Sequence, residues 1–539
     1  MYHLRRLVIF AICLAVFIVA ASVLPRVLNP TPPSPEERRR DREWVDTSPY
    51  WVDRQACRWL SLCGLHHLRR DPPALPAADN SGRRDGDDQR RLELRSPWGP
   101  RPAEAWETAG KATREQKRRN AQRERPELEE IPEFVLAHAP LVHLYSGEYF
   151  WPSDIAEHIQ YMTPFANDTV LNTTLPLSLD RLHELDNRAL DVFLTSDDDV
   201  EDRPDWLHSR YGIPLEFVDD DAEAKKQAYG KGGGPPLRDG TTWFDVDKDH
   251  PLRRISDPRR VHGKGRGLIT GRAQRRNARQ RPVDGTFGSI TNKTEDDGLS
   301  KAPAVLVMVD KGSDILDAFW FFFYSYNLGQ TVLGVRYGNH VGDWEHCMVR
   351  FESGVPRAMF LSEHEGGQAY AWEALEKRRV PGRGGLPGTE RPVIYSAVGS
   401  HAMYALPGVH PYVLPFKMLR DVTDEGPLWD PARNNYAYFF DYLLDREESR
   451  SGESEPASLT PAASNPDAAT SWFHFAGSWG DKLLALRDKR QWRLFGQYHY
   501  VTGPRGPKFK HLDRHKVCQT EKCRILYSLD AGKKGTWYS

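Results

Sequence analysis

The sequence has no excess of charge of either sign, few cysteines and none of the common catalytic signatures. Its 539 residues carry a formal net charge of −1, which argues against a global electrostatic partner such as nucleic acid. It contains no Gly-x-Ser-x-Gly elbow, no Walker loop and no His-Glu-x-x-His motif. Only 39% of the residues are hydrophobic, so we expect much of the chain to form solvated loops.

One uncharged run lies near the N-terminus. The 18 residues from Leu7 to Leu24 would form a helix about 27 Å long, which is enough for a hydrocarbon core. We predict a signal anchor or transmembrane helix over residues 1–27, a single-pass protein of the secretory pathway or vacuole, and a luminal position for the bulk of the chain. The small residues Val19 to Ala21 leave a cleaved signal peptide as the alternative.

Cysteine spacing and glycosylation motifs favour the same compartment. Cys57 and Cys63 are close in sequence, as are Cys518 and Cys523, and neither pair has zinc-finger spacing. We predict two short-loop disulfides, with reduced surface thiols as the alternative. Cys13 lies in the apolar run, and Cys347 is predicted to be a buried free thiol. The sequons begin at Asn167, Asn172 and Asn292.

Composition divides the chain into three parts. After residues 1–27, residues 28–129 are predicted to form a polar, largely disordered stalk with a Cys57/Cys63 patch. Residues 130–539 are predicted to form the globular domain, with flexible insertions at about 219–300 and 446–471. The basic stretch from Arg253 to Arg281 is interpreted as an inserted loop, with an anionic-surface patch as the alternative.

Short runs of β-branched and aromatic residues follow one another from Ala302 onward. They include AVLVMV, DAFWFFFYSYN, DWEHCMVRF and RPVIYSAVG, and turns with Gly or Pro separate them. This spacing is typical of an all-β sandwich or barrel. We therefore predict a mainly β, β-sandwich-like luminal domain with peripheral helices.

The densest polar segment is NHVGDWEH, residues 339–346. In a strand, Asp343 and Glu345 share one face, while Trp344 and His346 share the other. With His340 folded back, the two carboxylates suit a divalent cation, calcium or magnesium. The alternative is that Trp344 anchors the core and the acids line a solvated sheet edge.

Two further strand ends carry similar polar tips. The segments SEHEGG and YSAVGSHAMY place histidines beside glycines and small polar residues, and they provide the pocket candidates Ser362, His364, Ser400 and His401. Three strand ends of one style suggest a shared pocket. An acid/base role for Asp343 and Glu345 is the catalytic alternative. Two carboxylates so close on one strand suit a shared cation better, so binding is favoured over catalysis.

These motifs resemble a known family. LVHLYSGEYFWPSDI, FWFFFYSYNLG, GNHVGDWEH, SEHEGG, YSAVGSHAMY and GSWGDK together resemble the fungal vacuolar protein sorting-associated protein 62 family, over about Tyr50 to Cys523 outside the insertions. Plant proteins with a domain of unknown function share the GDWEH, His-x-Gly-Gly and Ser-His-Ala segments. The resemblance implies a role in delivering proteins to the vacuole, without implying a reaction.

A more distant likeness is to necrosis-inducing secreted proteins. These carry Gly-His-Arg-His-Asp-Trp-Glu on a β-sandwich similar to that of actinoporins, and their first His, Asp and Glu bind a divalent cation. The likeness places those ligands on His340, Asp343 and Glu345. It also places the family's glycine and second histidine on Asn339 and Gly342, so the match is partial.

The expected function is therefore that of a cation-containing binding or accessory factor in vacuolar protein sorting. A metal-dependent hydrolase using the same pocket is one alternative. A lipid or glycan head-group binding module is the other. The expected partners are a membrane, through the N-terminal helix, and a luminal protein, glycan or lipid, with no nucleic acid.

Overall fold

The fold is taken from a computed structural model. It describes residues 2–28, 35–71, 105–107, 128–166, 169–171, 173, 176–188, 191–215, 298–364, 366–380, 388–412, 419–451, 456–520 and 523–529. The predicted glycosylation sites Asn167, Asn172 and Asn292 lie outside these residues, as does nearly all of the predicted insertion at 219–300.

Within the described residues, the α-helices are short except near the N-terminus. They are α1 (Tyr2–Leu28), α2 (Pro35–Thr47), α3 (Trp51–Leu60), α4 (Glu133–Ala137), α5 (Ile155–His158), α6 (Asp205–His208), α7 (Tyr442–Ser451) and α8 (Ser471–His474). Short 3₁₀ segments lie at Leu65–His67, Ala105–Glu107, Ile159–Tyr161, Leu179–Arg188, Val200–Asp202, Arg210–Gly212, Trp372–Ala374, Pro431–Arg433 and Pro507–Phe509.

Strands dominate the rest of the described chain. They are β1 (Leu62–Cys63), β2 (Leu141–His143), β3 (Met162–Ala166), β4 (Thr169–Val170), β5 (Val192–Ser196), β6 (Ala304–Gly312), β7 (Ile315–Asn327), β8 (Gln330–Val332), β9 (Val335–Tyr337), β10 (His340–Glu352), β11 (Val355–Glu363), β12 (Gly366–Ala371), β13 (Lys377–Val380), β14 (Thr389–Ser396), β15 (Met403–Tyr404), β16 (Gly408–Tyr412), β17 (Leu419–Thr423), β18 (Leu428–Trp429), β19 (Asn435–Phe440), β20 (Leu459–Pro461), β21 (Arg493–Leu494), β22 (Gln497–Tyr498) and β23 (Ile525–Leu526).

An eight-stranded sheet forms the centre of the fold, in the order β20-β19-β6-β7-β10-β11-β12-β23. Strands β6, β7, β10, β11 and β12 are antiparallel neighbours, and β19 and β23 add parallel pairs at the two sides. The hairpin between β10 and β11 turns at Ser353 and Gly354, which both have positive φ. Such two-residue turns match the right-handed twist of paired strands.

Both faces of this sheet are buried. On one face Phe319, Phe321 and Phe323 pack with Trp344 and Trp472, whereas on the other Trp320 and Phe322 pack with residues of a second sheet. A strand covered on both sides has apolar side chains in both alternating positions, which explains the run AFWFFF in β7. The prediction of a mainly β domain is confirmed.

The second sheet has the order β13-β14-β2-β18, with β15 paired to β14. Its residues Val142, Ile394, Met403 and Trp429 share one apolar core with the large sheet. The two sheets therefore pack face to face. The loop from β14 to β15 lies over the start of β10, which determines the position of the polar residues discussed below.

The segment predicted as a stalk contains ordered elements. Helices α2 and α3 precede β1, which pairs with β21, and Asp41 accepts hydrogen bonds of 2.6 and 2.7 Å from Arg493. The strand pairing and these hydrogen bonds attach the N-terminal segment to residues beyond position 490. The predicted insertion at 446–471 likewise includes part of α7 and strand β20.

The predicted disulfides are confirmed, with Cys57 bonded to Cys63 and Cys518 bonded to Cys523. Cys347 is a buried free thiol in β10, as predicted, and Cys13 is free and exposed. Burial raises the pKa of the Cys347 thiol, so this thiol stays protonated and packs as an apolar group.

The prediction of an N-terminal transmembrane helix over residues 1–27 is wrong. No helix in the described part of the chain has both the length and the apolar content needed to cross a membrane. Helix α1 includes Arg5, Arg6 and Arg26, and the uncharged run between them is near the lower limit for a span. The single-pass topology inferred from that helix loses its basis.

Candidate functional site

Six buried or half-buried polar residues meet where the two sheets pack at the start of β10. We call Asp343, Glu345, Glu363, His364, His401 and Asp421 the polar cluster. Asp343 and Glu345 lie on the β10 face that packs on the second sheet, and Trp344 lies on the opposite face with His346. The predicted division of this strand into two faces is confirmed.

Asp343 is bound to His401 across the two sheets. His401 Nδ1 lies 2.9 Å from Asp343 Oδ2, and its Nε2 donates to the carbonyl of Phe150 at 3.1 Å. The ring also stacks on Tyr324, with 3.7 Å between centroids. Because both ring nitrogens are engaged, His401 holds the sheets together and is not placed to carry protons or bind a ligand.

Glu148 completes this part of the site, although the motif analysis did not assign it a role. Its Oε1 accepts hydrogen bonds from the amides of Tyr149 and Phe150, and its Oε2 accepts one of 2.8 Å from the amide of Gly399. Glu148 therefore fixes the loop that carries His401. The residue lies within LYSGEYFWPS, where only the family resemblance drew attention to it.

His340 turns back on its own loop. Its Nδ1 donates to the carbonyl of Gly342 at 2.6 Å, and burial lowers the pKa of His340. Gly342 has a φ of 67°, and a Cβ there would lie 2.4 Å from the carbonyl oxygen of Trp479. Glycine is thus required at this position, both by the left-handed backbone and by the close approach of Trp479.

Glu345 and Glu363 are buried carboxyl groups on the paired strands β10 and β11. Glu345 accepts a hydrogen bond from Ser362, and burial together with Asp343 raises the pKa of Glu345. Burial, Asp421 and Glu345 raise the pKa of Glu363 to about 8. Both groups therefore hold protons at neutral pH. Glu363 Oε1 has no hydrogen-bond partner among the described residues.

His364 is the partly accessible member of the polar cluster. Its Nε2 donates to Asp421 Oδ2 at 2.8 Å, and 29% of its side chain is exposed. Burial alone would lower the pKa of His364, but Asp421, with smaller contributions from Glu345 and Glu363, raises it to about 9. His364 is thus a cation at neutral pH, which suits it to binding rather than to accepting a proton.

Asp421 is the buried anion that the sequence analysis missed. Besides His364, it accepts hydrogen bonds from Gln330, Ser400 and Tyr404 at 2.7–2.9 Å. Burial alone would raise the pKa of Asp421, but His364, Ser400 and Tyr404 hold it below its ordinary value. The segment LRDVT offers no signal for such a role, because its partners are far away in sequence.

The predicted serines do not form a nucleophile pair. Ser362 Oγ donates to Glu345, and Ser400 Oγ donates to Asp421 at 2.7 Å, so neither hydroxyl bonds a histidine ring. A serine nucleophile needs a base within hydrogen-bond reach. The metal-dependent hydrolase alternative gains no support from this arrangement.

The predicted cation ligands do not converge. His340 bonds Gly342, Asp343 bonds His401 and Glu345 bonds Ser362. Among the described residues, no group of three or more His, Cys, Asp and Glu side chains is arranged to hold a metal ion. The calcium or magnesium site stays a prediction without structural support.

Comparison with known proteins gives a consistent result. A family model described as vacuolar protein sorting-associated protein 62 matches residues 316–413. The chain is 35% identical over 414 residues to a Saccharomyces cerevisiae protein described as putative vacuolar protein sorting-associated protein TDA6, covering 72% of this chain and 68% of that protein. It is 34% identical over 403 residues to the vacuolar protein sorting-associated protein 62 of that yeast, covering 73% and 68%. No solved structure matches.

Proposed function

This chain belongs to the vacuolar protein sorting-associated protein 62 family, and we propose that it acts in the sorting of proteins to the vacuole. The observation that carries the proposal is the similarity to two yeast relatives over more than 400 residues. Both relatives are named for vacuolar protein sorting. The residues matched by the family model include five of the six residues of the polar cluster, all except Asp421.

The polar cluster supports a binding role within that process. His364 is a partly exposed cation held by Asp421, and beside it Glu363 carries a buried oxygen without a partner among the described residues. A ligand that reaches His364 would meet a cation, so polar groups that accept hydrogen bonds fit best. The ligand class we propose is a polar segment of a protein or a glycan.

The two disulfides support a location on the secretory route to the vacuole. Disulfides form and persist in oxidising compartments such as the endoplasmic reticulum lumen. Cys57–Cys63 and Cys518–Cys523 lie at opposite ends of the described chain. Both ends would therefore pass through an oxidising compartment.

A sorting assay in the source organism tests the proposal. Removing the gene is expected to increase the fraction of vacuolar hydrolases found in the medium, and the wild-type gene is expected to restore their retention. Unchanged sorting after gene removal would contradict the proposed role.

Point variants then test whether the polar cluster is required for sorting. His364 has a φ of 53°, a conformation that asparagine tolerates, so His364→Asn removes the cation with little backbone strain. His511 also has a positive φ, of 57°, and is exposed, so His511→Asn is the matched control. We expect the first variant to fail in restoring sorting and the second to succeed.

A further inference from the structure

The described tryptophans fall into two separate groups. Eleven of the thirteen are buried, whereas Trp51 and Trp59 are 65% and 74% exposed. Both exposed residues lie on α3. Two exposed tryptophans on one helix leave a large apolar area in contact with water, which is unfavourable. Exposed apolar patches of this kind mark binding surfaces.

The exposed side chains of α3 form one face. Trp51, Gln55 and Trp59 are spaced four residues apart, and Trp59 Nε1 donates to Gln55 Oε1 at 3.0 Å. Tyr50 and Val52, next to Trp51, are 52% and 66% exposed. We call Tyr50, Trp51, Val52 and Trp59 the aromatic face.

The opposite side of α3 is fixed to the protein. Asp53 and Cys57 are buried there, Cys57 is bonded to Cys63, and the Nη2 of Arg493 lies 3.2 Å from Cys63 Sγ. The aromatic face is therefore displayed by a helix whose inner side is already packed. The aromatic face is therefore not the side by which α3 packs on the rest of the protein.

We propose that the aromatic face binds a lipid–water interface. Tryptophan and tyrosine prefer that depth, since their rings are apolar while their N–H and O–H groups remain hydrated or bonded. The bond from Trp59 to Gln55 satisfies the indole N–H within the helix, so the ring can enter the head-group region without losing a hydrogen bond. Arg58, also exposed on α3, can face lipid phosphates.

The neighbouring helix supports a lipid surface over a protein partner. Helix α1 contacts α3 and exposes apolar side chains such as Leu7, Phe10 and Val16. The unpartnered apolar surface thus extends over two convex helices. A membrane surface accommodates such a shape directly, whereas a protein partner would need a matching groove.

Fluorescence quenching on the full chain tests the proposal. The wild type and Trp51→Phe/Trp59→Phe are compared with phosphatidylcholine vesicles brominated on the acyl chains, with and without phosphatidylserine, and with an aqueous quencher. Leu333→Asn, at a highly exposed turn residue far along the chain, is the control for removing a surface apolar group.

Without vesicles, we expect the aqueous quencher to reduce the tryptophan fluorescence of the wild type. Once vesicles are added, we expect the brominated lipid to quench this fluorescence and the aqueous quencher to lose its effect. In Trp51→Phe/Trp59→Phe, most of the quenching by the aqueous quencher and by the brominated lipid should disappear. Leu333→Asn should behave as the wild type. Continued access of the aqueous quencher with vesicles present would overturn the proposal. Protection already present without vesicles would overturn it in favour of a second copy. Sorting activity does not enter this test, so it can fail independently of the proposed function.

Discussion

His364 Nε2 donates to Asp421 Oδ2 across 2.8 Å, although the two residues are 57 positions apart in sequence. The contact joins the end of β11 to β17 and leaves part of the imidazole exposed, while Asp421 is fully buried. A buried anion thus holds a partly exposed cation.

Replacing the anion should change the titration of the cation. In Asp421→Asn we expect the pKa of His364 to fall from about 9, because burial is then opposed only by the smaller contributions of Glu345 and Glu363. An NMR titration of the His364 ring would measure this shift. Glu425→Gln, which removes an exposed carboxylate nearby, is the control and should leave the titration unchanged.

The same pair predicts a window of stability. The folded-state pKa of His364 is raised, so its contribution is complete below about 6.5 and is lost as the pH rises through about 9. The pKa of Asp421 is lowered, so its contribution is present above its ordinary value and is lost at more acidic pH. Removing His364 leaves the buried Asp421 carboxylate with its hydrogen bonds from Gln330, Ser400 and Tyr404 but without its cation. Denaturant unfolding of His364→Asn and wild type across pH should give curves that converge at high pH.

Ionisation of Glu363 should also lower the stability as the pH rises. Its pKa is raised from 4.5 in the unfolded chain to about 8, so the folded state binds more protons and the free energy of unfolding falls as the pH rises between these values. In Glu363→Gln we expect that decline to be smaller by roughly 2–4 kcal/mol. Glu390→Gln, at an exposed position, should keep the wild-type slope, and an identical slope in both variants would contradict the burial effect.

Gly342 offers a test of backbone packing at the site. Gly342→Ala should destabilise the fold by about 3 kcal/mol or more, because its Cβ would meet the Trp479 carbonyl in addition to the unfavourable φ. Gly408 also has a positive φ, but a Cβ there meets nothing within 4 Å. Gly408→Ala therefore measures the conformational cost alone, about 1–3 kcal/mol. If thermal unfolding showed the same loss of stability in both variants, the backbone at Trp479 would have to move to accommodate the added Cβ.

The Cys57–Cys63 bond should stabilise only the N-terminal segment. Replacing both cysteines by serine opens a short loop and costs about 2 kcal/mol in the chain-entropy description. Amide hydrogen exchange should then increase in α3 and β1 but not in β10. The matched pair Cys518→Ser/Cys523→Ser should leave α3 unchanged.

Much of the strand pattern in the large sheet follows from sequence. The alternation in DWEHCMVRF places Asp343 and Glu345 together because a strand has a period of two, and Cys347 is buried because both faces of the strand are covered. The close spacing of the cysteine pairs was enough to predict both disulfides. These features depend on neighbouring residues only.

The connections of the polar cluster depend on distant residues. The interpretation of His340, Asp343 and Glu345 as a triad assumed that the three side chains were available to one ligand, whereas Asp343 is bound to His401 and Glu345 to Ser362. Asp421 and Glu148 reach their partners through β17 and the segment after β2, and no local pattern predicts such pairings. The likeness that aligned a histidine with Gly342 also fails there, since no side chain fits against Trp479.

The pairing of β1 with β21 and of Asp41 with Arg493 has a consequence for the order of synthesis. The paired residues of β1 and β21 are about 430 positions apart, and Asp41 and Arg493 are 452 apart, so at 5–20 residues per second the ribosome needs roughly 20–90 s to supply the second partner after the first. The Cys57–Cys63 bond, by contrast, joins residues six apart and can form as soon as both have reached an oxidising compartment. The link between α3 and β1 can therefore form early in synthesis, whereas the strand β21 that pairs with β1 is made much later.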